Sequence, residues 1–267
     1  MKLLVCVKQV PEITDVRVDP ETGTLIREGV ASILNPFCEY ALDHAARLKA
    51  ALPGTEIVAL TMGPPQAEAA LVRCLELGAD RAVLASDRRF AGADTWATAL
   101  TLAAVIRATH PDFDLILVGK QAIDGDTAQV GPELAEILGI PQIMYGVEMS
   151  WAANGKRIRV RREIETGYEV VEARLPALVS ASKGEPVRRM PSLAAVIAAR
   201  KREIRRLGAS ELPLKESELG LAGSFTQVVK VFPPPPKKGG RRVEGLEPAE
   251  AARAIAAFLR EEGFIEG

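Results

Sequence analysis

The sequence predicts an α/β protein built on a parallel β-sheet, with additional antiparallel strands and a C-terminal arm. Up to residue 140, short apolar strands alternate with helical stretches of 3.6-residue period, the pattern of a parallel sheet covered on both faces. Between residues 145 and 182, strand-like segments alternate in polarity and are separated by turns, which indicates antiparallel pairing. A polyproline run at residues 233–236 then precedes a final amphipathic helix.

The strands predicted for the parallel sheet are near-continuous apolar runs. They are Leu3–Gln9, Glu56–Met62, Ala82–Ala85 and Leu115–Gly119. The helices predicted around them are Pro36–Leu52, Pro65–Leu77, Asp94–Thr109 and Pro132–Leu138. Two alternating segments, Val16–Asp19 and Thr24–Arg27, flank a Pro- and Gly-containing turn at residues 19–23, so we expect a hairpin before the first helix.

The second half of the chain is predicted to add strands to the sheet and then to form helices and a C-terminal arm. The predicted strands are Tyr145–Ala152, Lys156–Glu165, Tyr168–Arg174 and Leu178–Ser182, separated by turns at residues 153–155 and 166–167. A basic helix at Leu193–Arg205, a short strand at Phe225–Val231 and a helix at about Pro248–Glu262 follow. We therefore expect a nucleotide-binding α/β domain over residues 1–205, including the 145–182 strands. Residues 206–267 would form an arm and helix that contact a partner subunit or pack on this domain.

The stretch from Gly119 to Pro132 is the strongest functional signal in the sequence. It follows a predicted strand, contains glycines and opens into a predicted helix. Such a turn presents free backbone N–H groups and the positive end of a helix dipole, which suits a phosphate. Lys120 adds a positive charge, and side chains able to contact a ribose or a base follow: Asp124, Asp126, Thr127 and Gln129. The alternative is an ordinary turn capped by Asp or Thr, because the known Gly-rich phosphate motifs are absent.

Three other loops belong to the same edge of the predicted sheet, because binding crevices in open parallel sheets lie at the carboxyl ends of the strands. Cys6–Gln9 ends the first strand, Asn35–Glu39 opens the first helix and Thr61–Pro64 ends the second strand. Asn35 is the predicted N-cap and Pro36 the first helical residue. Each segment alone is consistent with plain capping or turn chemistry. Together with the loop at residues 119–131 they indicate a nucleotide crevice.

Composition excludes several function classes. The chain has 267 residues, a net charge of −1 and 48% apolar residues, which gives no general attraction to nucleic acid and fits a globular protein. No apolar run approaches the roughly 18 residues that a membrane helix needs, so we expect no membrane insertion. The sequence passes directly from Met1 into a strand, without a signal peptide, and we expect a cytoplasmic protein.

The cysteines and histidines offer little material for metal or nucleophile chemistry. Cys6, Cys38 and Cys74 are widely spaced in apolar segments and form no C-x-x-C pair, so we expect small buried residues. The only histidines, His44 and His110, lie far apart in sequence, and His44 falls near an apolar stripe where a core histidine is expected. We predict no metal site and no catalytic residue.

In several segments at once, the chain resembles the β, or small, subunit of electron transfer flavoproteins, from Leu3 to about Arg205. Val5–Lys8 is similar to the family's first strand, Asn35–Glu39 to the start of its first helix, and Gly119–Asp124 to its nucleotide loop. Residues 160–170, leading into residues 175–179, resemble the β-subunit signature. These segments occur in the family's order and at similar spacing.

The resemblance implies an adenine nucleotide α-hydrolase-like fold and an electron carrier rather than an enzyme. It implies a heterodimer with an α subunit that makes most contacts to a redox-active FAD. Electrons would enter from acyl-CoA or related dehydrogenases, as in fatty acid oxidation, and leave toward a quinone-reducing acceptor. The β subunit would hold a structural AMP, and the positions that match the family's AMP contacts are Cys6, Asn35, Pro36, Phe37, Cys38, Met62, Gly119, Lys120, Gln121, Ala122, Ile123, Asp124, Gly125, Asp126, Thr127, Ala128, Gln129 and Val130.

Two branches of the family remain open for the ligand. The loop Asp124–Pro132 resembles the electron-bifurcating branch, in which a second FAD replaces AMP, and Lys8–Glu12 is close to that branch's pattern. Asn35–Cys38 resembles the AMP branch, and Phe37 is bulky at a position where a second isoalloxazine ring needs room. We predict AMP and keep a second FAD as the alternative.

The segment Pro186–Arg205 is predicted to dock dehydrogenases. It contains few acidic residues and many basic ones, which are Arg188, Arg189, Arg200, Lys201, Arg202 and Arg205. The family's recognition loop has an anchoring leucine before a basic helix, whereas residues 182–190 have none, so Val187 or Met190 takes its place or the partner differs. Simple solvation of a helix face is the alternative.

The alternative from another function class is a stand-alone adenine-nucleotide sensor or nucleotidyl-transfer enzyme with a similar parallel-sheet fold. The polar strands after residue 145 and the polyproline segment favour a subunit that is built for a partner.

Overall fold

The computed structural model describes residues 1–12, 17–18, 25–26, 31–184, 190–229, 242 and 244–265. Their strands are β1 (Lys2–Cys6), β2 (Gln9–Pro11), β3 (Arg17–Val18), β4 (Leu25–Ile26), β5 (Ser32–Leu34), β6 (Glu56–Met62), β7 (Arg81–Ala85), β8 (Leu115–Gly119), β9 (Gln142–Ala152), β10 (Arg157–Ile164), β11 (Gly167–Arg174), β12 (Ala177–Ala181) and β13 (Ile204–Leu207). Their α-helices are α1 (Pro36–Ala51), α2 (Glu68–Glu76), α3 (Thr95–Thr109), α4 (Val130–Leu138), α5 (Leu193–Ala199) and α6 (Pro248–Glu261).

Nine of these strands form one sheet in the order β11-β10-β9-β12-β8-β1-β6-β7-β13. All neighbours from β9 to β13 pair in parallel, whereas β10 runs antiparallel to both β9 and β11. The chain proceeds from β1 to β6 and β7 on one side, then crosses back to place β8 on the other side of β1. The strand order therefore reverses between β1 and β8, the position where open α/β sheets form their binding crevice.

Helices cover both faces of the sheet and give the molecule two apolar cores. One core contains buried residues of α1, α2 and α5, and the other contains buried residues of α3 and α4. The central strands supply both, since successive side chains of a strand point to opposite faces: Leu3 and Val5 lie in the first core, Leu4 and Cys6 in the second. This explains why the central strands are apolar at nearly every position.

The α/β class with its additional antiparallel strands is confirmed, and most predicted elements lie within a few residues of the observed ones. Helix α3 begins after Asp94, whose side chain accepts a hydrogen bond from the Ala97 N–H. Strands β3 and β4 pair antiparallel, as the hairpin prediction requires, although its turn at residues 19–24 lies outside the described residues. Cys6, Cys38, Cys74 and His44 are buried, as predicted.

Three predicted elements were wrong. The helix predicted over residues 193–205 ends at Ala199, and Ile204–Leu207 is β13, which pairs in parallel with β7. The strand predicted over residues 3–9 ends at Cys6, and Gln9–Pro11 pairs with β5 in a separate ribbon. Residues 225–229 form no strand, and residues 230–231 lie outside the described part. In the first two cases the strand forms because it pairs with a strand elsewhere in the sequence. Local sequence patterns do not show such a partner.

The arm starts later than its sequence suggested. The predicted boundary after residue 205 falls inside β13, and the buried side chains of Leu207, Leu212 and Leu219 belong to the core shared with α3 and α4. Helix α6 has the predicted amphipathic character, but none of its described residues is buried. The predicted polyproline segment lies outside the described residues. The division into an α/β domain and a partner-contacting arm stays a prediction.

Candidate nucleotide-binding site

The ends of three parallel strands meet at the carboxyl edge of the sheet. Cys6, the last residue of β1, lies in register with Val118 of β8 and Leu60 of β6. Beyond β1, the Val7 N–H donates to the Leu60 carbonyl at 2.8 Å, and the Thr61 hydroxyl donates to the Val7 carbonyl at 2.7 Å. These bonds join the ends of β1 and β6, and the register of Cys6 with Val118 places the start of segment 119–131 at the same edge.

Gly119 lets helix α1 approach the end of β8 closely. A Cβ atom at this position would lie 2.8 Å from the Phe37 carbonyl carbon, 2.9 Å from the Phe37 Cβ and 3.0 Å from the Cys38 nitrogen. Any larger residue therefore requires a shift of helix backbone. Phe37, half-buried, is fixed beside the strand end by this contact, and Pro36 occupies the first helical position as predicted.

Asn35 connects this helix start to the candidate loop. Its side chain is 1% exposed, and its amide donates to the Gln121 carbonyl at 2.8 Å and to the Cys38 Sγ at 3.3 Å. Its side-chain oxygen accepts the Ile123 N–H at 3.3 Å. Asn35 occupies the N-cap position, but its side chain makes no capping hydrogen bond. The capping role predicted for this side chain was wrong, because the loop at residues 121–123 takes both of its polar groups.

Two further contacts shape the loop between Gly119 and α4. The Lys8 ammonium binds both carboxylate oxygens of Asp124, at 2.8 and 2.9 Å, and so joins the end of β1 to the loop. The Gln121 side-chain amide donates to Asp126 at 2.8 Å. The sequence showed these polar residues but not their pairing, since residues 8 and 124 are distant along the chain.

The second half of the loop presents unpaired N–H groups. The backbone N–H groups of residues 127–131 donate to no acceptor within the described part of the chain. Asp126 and Ala128 have positive φ angles of 53° and 56°, so left-handed residues alternate with Thr127 just before α4. Successive N–H groups in such a turn, placed at a helix N-terminus, form a concavity that favours an anion. Residues 124–127 and 129 are exposed, which leaves the site open to a ligand.

Lys120 does not contribute its charge to this concavity. Its ammonium lies 4.0 Å from the Glu163 carboxylate and 5.1 Å from the centre of the Tyr145 ring, on the side of β9 and β10. The Lys8 ammonium contacts the loop, but its ion pair with Asp124 offsets most of its positive charge. Anion binding here would therefore depend on backbone N–H groups and the helix dipole.

The remaining predicted positions, Cys6, Cys38 and Met62, are apolar and lie at the same edge of the sheet. Cys6 and Cys38 are buried at the strand end and helix start, and Met62, at the end of β6, is partly buried. Burial raises the pKa of the Cys6 thiol to about 12 and that of the Cys38 thiol above its ordinary value, so both remain neutral. Among the residues that the structure describes, no cluster of His, Cys, Asp or Glu could hold a metal ion.

Glu133 is a feature that sequence reasoning missed. It lies in the first turn of α4, where one carboxylate oxygen accepts the Thr95 hydroxyl at 3.0 Å and the other is buried without a hydrogen-bond partner among the described residues. Burial, with a contribution from nearby Asp94, raises the pKa of Glu133. The only sequence signal was a Glu in a predicted first helical turn, which is common on exposed surfaces.

In the described ranges, no helix is both long and apolar enough to span a bilayer.

Comparison with known proteins connects this crevice to one family. A family profile described as "Electron transfer flavoprotein domain" matches residues 22–212. The chain is 44% identical over 265 residues to "Caffeyl-CoA reductase-Etf complex subunit CarD" of Acetobacterium woodii, covering 99% of this chain and 100% of that protein. It is 44% identical over 266 residues to "Electron transfer flavoprotein subunit beta" of Clostridium acetobutylicum, with 99% and 100% covered.

A third relative, "Protein FixA" of Azotobacter vinelandii, is 43% identical over 268 residues, with 97% of this chain and 94% of that protein covered. The profile spans more than half of the chain, and the relatives align with it almost from end to end. The resemblance noted in the sequence is thereby confirmed, and the chain belongs to the electron transfer flavoprotein family, with the family's β subunits.

Proposed function

We propose that this chain, with an α subunit, forms a heterodimeric electron carrier, and that its crevice between β1 and β8 binds the adenosine phosphate part of a nucleotide. The observation that carries the proposal is the row of unpaired N–H groups at residues 127–131, at the N-terminus of α4 and beside the point where strand order reverses. Phosphate groups bind such sites without a dedicated cation. The α subunit would make most contacts to the redox-active FAD.

AMP is the ligand that we propose first, in a structural role. Phe37 supports it, because the close approach of Gly119 fixes the backbone of this bulky residue at the start of α1, beside the end of β8. A second FAD is the other candidate, and one contact favours it. Lys8 pairs with Asp124, so the segment Lys8–Glu12 lies directly beside the loop. A nucleotide longer than AMP could therefore extend along that segment, and electron bifurcation would be the associated activity.

The electron route follows from the family rather than from catalytic residues of this chain. Neither histidine is placed as a general base at the crevice: both are buried, His44 within α1 and His110 at the C-terminal end of α3. The flavin, when bound, supplies the redox chemistry, and this chain's residues bind and orient the nucleotide. Acyl-CoA or related dehydrogenases would donate electrons. The Acetobacterium woodii relative is named as a subunit of a caffeyl-CoA reductase–Etf complex, which supports a partner enzyme that acts on a CoA thioester. A quinone-reducing acceptor and a cytoplasmic location complete the proposal.

Dehydrogenase docking is proposed for the surface around α5. Leu193 and Ile197 of α5 are exposed apolar residues, with exposed fractions of 76% and 48%, and Met190, which precedes the helix, is 85% exposed. Arg200 and Lys201 are exposed at the end of this helix, whereas Arg202 donates to the carbonyls of Ala79 and Asp80. Exposed apolar residues beside exposed cations suit an encounter complex steered by charge. Arg188 and Arg189, also predicted to act here, lie outside the described residues.

The nucleotide proposal is tested with Gly125→Trp combined with Asp126→Trp in the co-expressed heterodimer. No atom lies within 4 Å of a Cβ at Gly125, so bulk there enters open space. Asp126→Trp also removes the acceptor of the Gln121 amide at a residue of positive φ, so the loop itself changes shape. We expect loss of one nucleotide and weaker assembly. Gly125→Ala is the matched control and should keep the full content. Unchanged nucleotide content in the double variant would contradict the proposal.

Docking is tested separately by reversing charge at Arg200 and Lys201. The rate of flavin reduction by the dehydrogenase should fall at low ionic strength, and the difference from wild type should shrink as salt rises. The same charge change at the exposed residues Lys156 and Lys215 serves as the control. Equal rates for the two double variants at low salt would remove this surface from the docking proposal.

A further inference from the structure

The first turns of helices α3 and α4 meet, and each has a carboxylate at its start. Asp94 caps α3 by accepting the Ala97 N–H at 3.0 Å, and Glu133 lies in the first turn of α4. The Thr95 hydroxyl, in the first turn of α3, donates to one oxygen of Glu133 at 3.0 Å. This hydrogen bond fixes the Glu133 carboxyl group between the two helix starts.

The other oxygen of Glu133 is not satisfied. It is buried, and no described residue gives it a hydrogen bond. Burial without a hydrogen-bond partner costs more free energy for a charged oxygen than for a neutral one. The position of this carboxyl group therefore opposes its ionisation.

The neighbouring carboxylate of Asp94 opposes ionisation of Glu133 further. Partial burial raises the pKa of Asp94, but hydrogen bonds from Ala97 and Thr226 outweigh it and hold that pKa below its ordinary value. Asp94 therefore keeps its negative charge. Burial, together with this charge, raises the pKa of Glu133, against the effect of the Thr95 hydrogen bond. Of the two acids, Glu133 is the one that accepts a proton first.

The other elements packed against α4 bring no positive charge to Glu133. Arg107 of α3 donates instead to the Ile137 carbonyl, in the last turn of α4. Strand β12, Ala177–Ala181, has no charged residue. The charged residue of β9, Glu148, binds an arginine of β10.

The start of α4 is also the proposed phosphate site. The unpaired N–H groups of residues 127–131 end two residues before Glu133. A carboxylate at Glu133 and a phosphate on these N–H groups would share one helix dipole and repel each other. A bound phosphate thus favours the neutral form of Glu133, and the neutral form favours the phosphate.

We infer that Glu133 takes up a proton when the crevice binds the phosphate of a nucleotide, and that its ionised form weakens this binding. The proton comes from the solvent and adds to the carboxylate, with no other bond changed. The inference rests on the proposed nucleotide site and specifies how ligand charge is balanced there. By linkage, nucleotide affinity must fall as the pH rises through the pKa of Glu133.

The test compares AMP binding by wild type and Glu133→Gln. Equilibrium dialysis of the purified heterodimer, freed of bound nucleotide, measures affinity from pH 4.5, the ordinary pKa of this carboxyl group, to about pH 8. Glutamine keeps an oxygen for the Thr95 hydroxyl and removes the charge. Near pH 8 the variant should bind AMP about 2- to 30-fold more tightly than wild type. The two affinities should converge toward pH 4.5, and their ratio cancels the titration of the AMP phosphate itself.

Two further variants separate charge at Glu133 from other effects. Glu136→Gln removes the same charge from an exposed position of α4, so its affinity ratio to wild type should stay close to one at every pH. Thr95→Val removes a hydrogen bond that favours ionised Glu133. The pH at which AMP affinity falls should therefore move upward in this variant, which a purely structural role of Glu133 would not produce.

Several results would overturn the inference and leave the nucleotide site in place. They are equal AMP affinities of wild type and Glu133→Gln near pH 8, an affinity ratio that does not change with pH, and an equal gain from Glu136→Gln. An unchanged midpoint in Thr95→Val would also count against it. If AMP binds neither wild type nor any variant, the proposed site itself fails and this inference fails with it.

Discussion

Replacing Gly119 by alanine tests whether the close contact between β8 and α1 shapes the crevice. The added Cβ would lie 2.8 Å from the Phe37 carbonyl carbon and 3.0 Å from the Cys38 nitrogen. Both are backbone atoms at the start of a 16-residue helix, so no side-chain rotation relieves the clash. The start of α1 must therefore move, and Asn35 moves with it.

The expected magnitude follows from overpacking. Adding a methyl group to a well-packed site costs about 1–3 kcal/mol. At about 2–4 °C per kcal/mol for chains of roughly this size, the heterodimer should unfold about 2–12 °C lower. Because Asn35 holds the loop through Gln121 and Ile123, the variant should also lose nucleotide on dilution more readily than wild type. Thermal unfolding and nucleotide content after gel filtration measure the two effects.

Gly125→Ala provides the matched control in the same loop. No atom lies within 4 Å of a Cβ at Gly125, and this residue is not among the glycines with positive φ. The same chemical change should therefore leave the unfolding temperature within about 2 °C of wild type, since surface substitutions away from special contacts stay within about 0.5 kcal/mol. Equal unfolding temperatures for the two alanine variants would refute the argument that Gly119 is required by packing.

Three further predictions concern buried polar groups. Asn35→Ala removes hydrogen bonds to Gln121 and Ile123, so it should lower the free energy of unfolding by about 1–3 kcal/mol and release nucleotide, as denaturant titration and extraction would show. Burial raises the pKa of Glu133, so ionisation weakens the folded state; Glu133→Gln should raise the unfolding temperature near neutral pH, and the gain should vanish as the pH falls below 4.5. The buried thiols of Cys6, Cys38 and Cys74 have raised pKa values, so they should resist alkylation. Iodoacetamide should modify none of them in the native heterodimer and all three after unfolding, as measured by mass spectrometry. Unchanged stability of Asn35→Ala would contradict the first prediction. A gain in unfolding temperature for Glu133→Gln that does not depend on pH would contradict the second, and rapid alkylation of the native protein would contradict the third.

Apolar patterning was sufficient to predict the central sheet. The runs at residues 56–62 and 115–119 are strands with the predicted bounds, because strands buried on both faces need apolar residues at nearly every position. The edge strand β13 was missed for the opposite reason. Arg205 and Arg206 are exposed at the edge, so its sequence lacks the apolar run and continues the basic pattern of α5.

Tertiary partners explain the rest of the differences at the candidate site. The sequence placed Asn35 at a helix start, where an N-cap is the usual role, but could not show that residues 121–123 would be close enough to bind its amide. The pairing of Lys8 with Asp124 was hidden for the same reason. The loop itself was recognisable from its glycines and from its place between a strand and a helix, which are local features.

The central claim is that the crevice between β1 and β8 binds the adenosine phosphate part of a nucleotide in addition to the FAD shared with the α subunit. The most direct measurement is the nucleotide content of the purified heterodimer after acid extraction and chromatography. We predict one FAD and one AMP per heterodimer. Two FAD without AMP would place a flavin in the crevice and favour the bifurcating candidate. One FAD with no second nucleotide would contradict the claim.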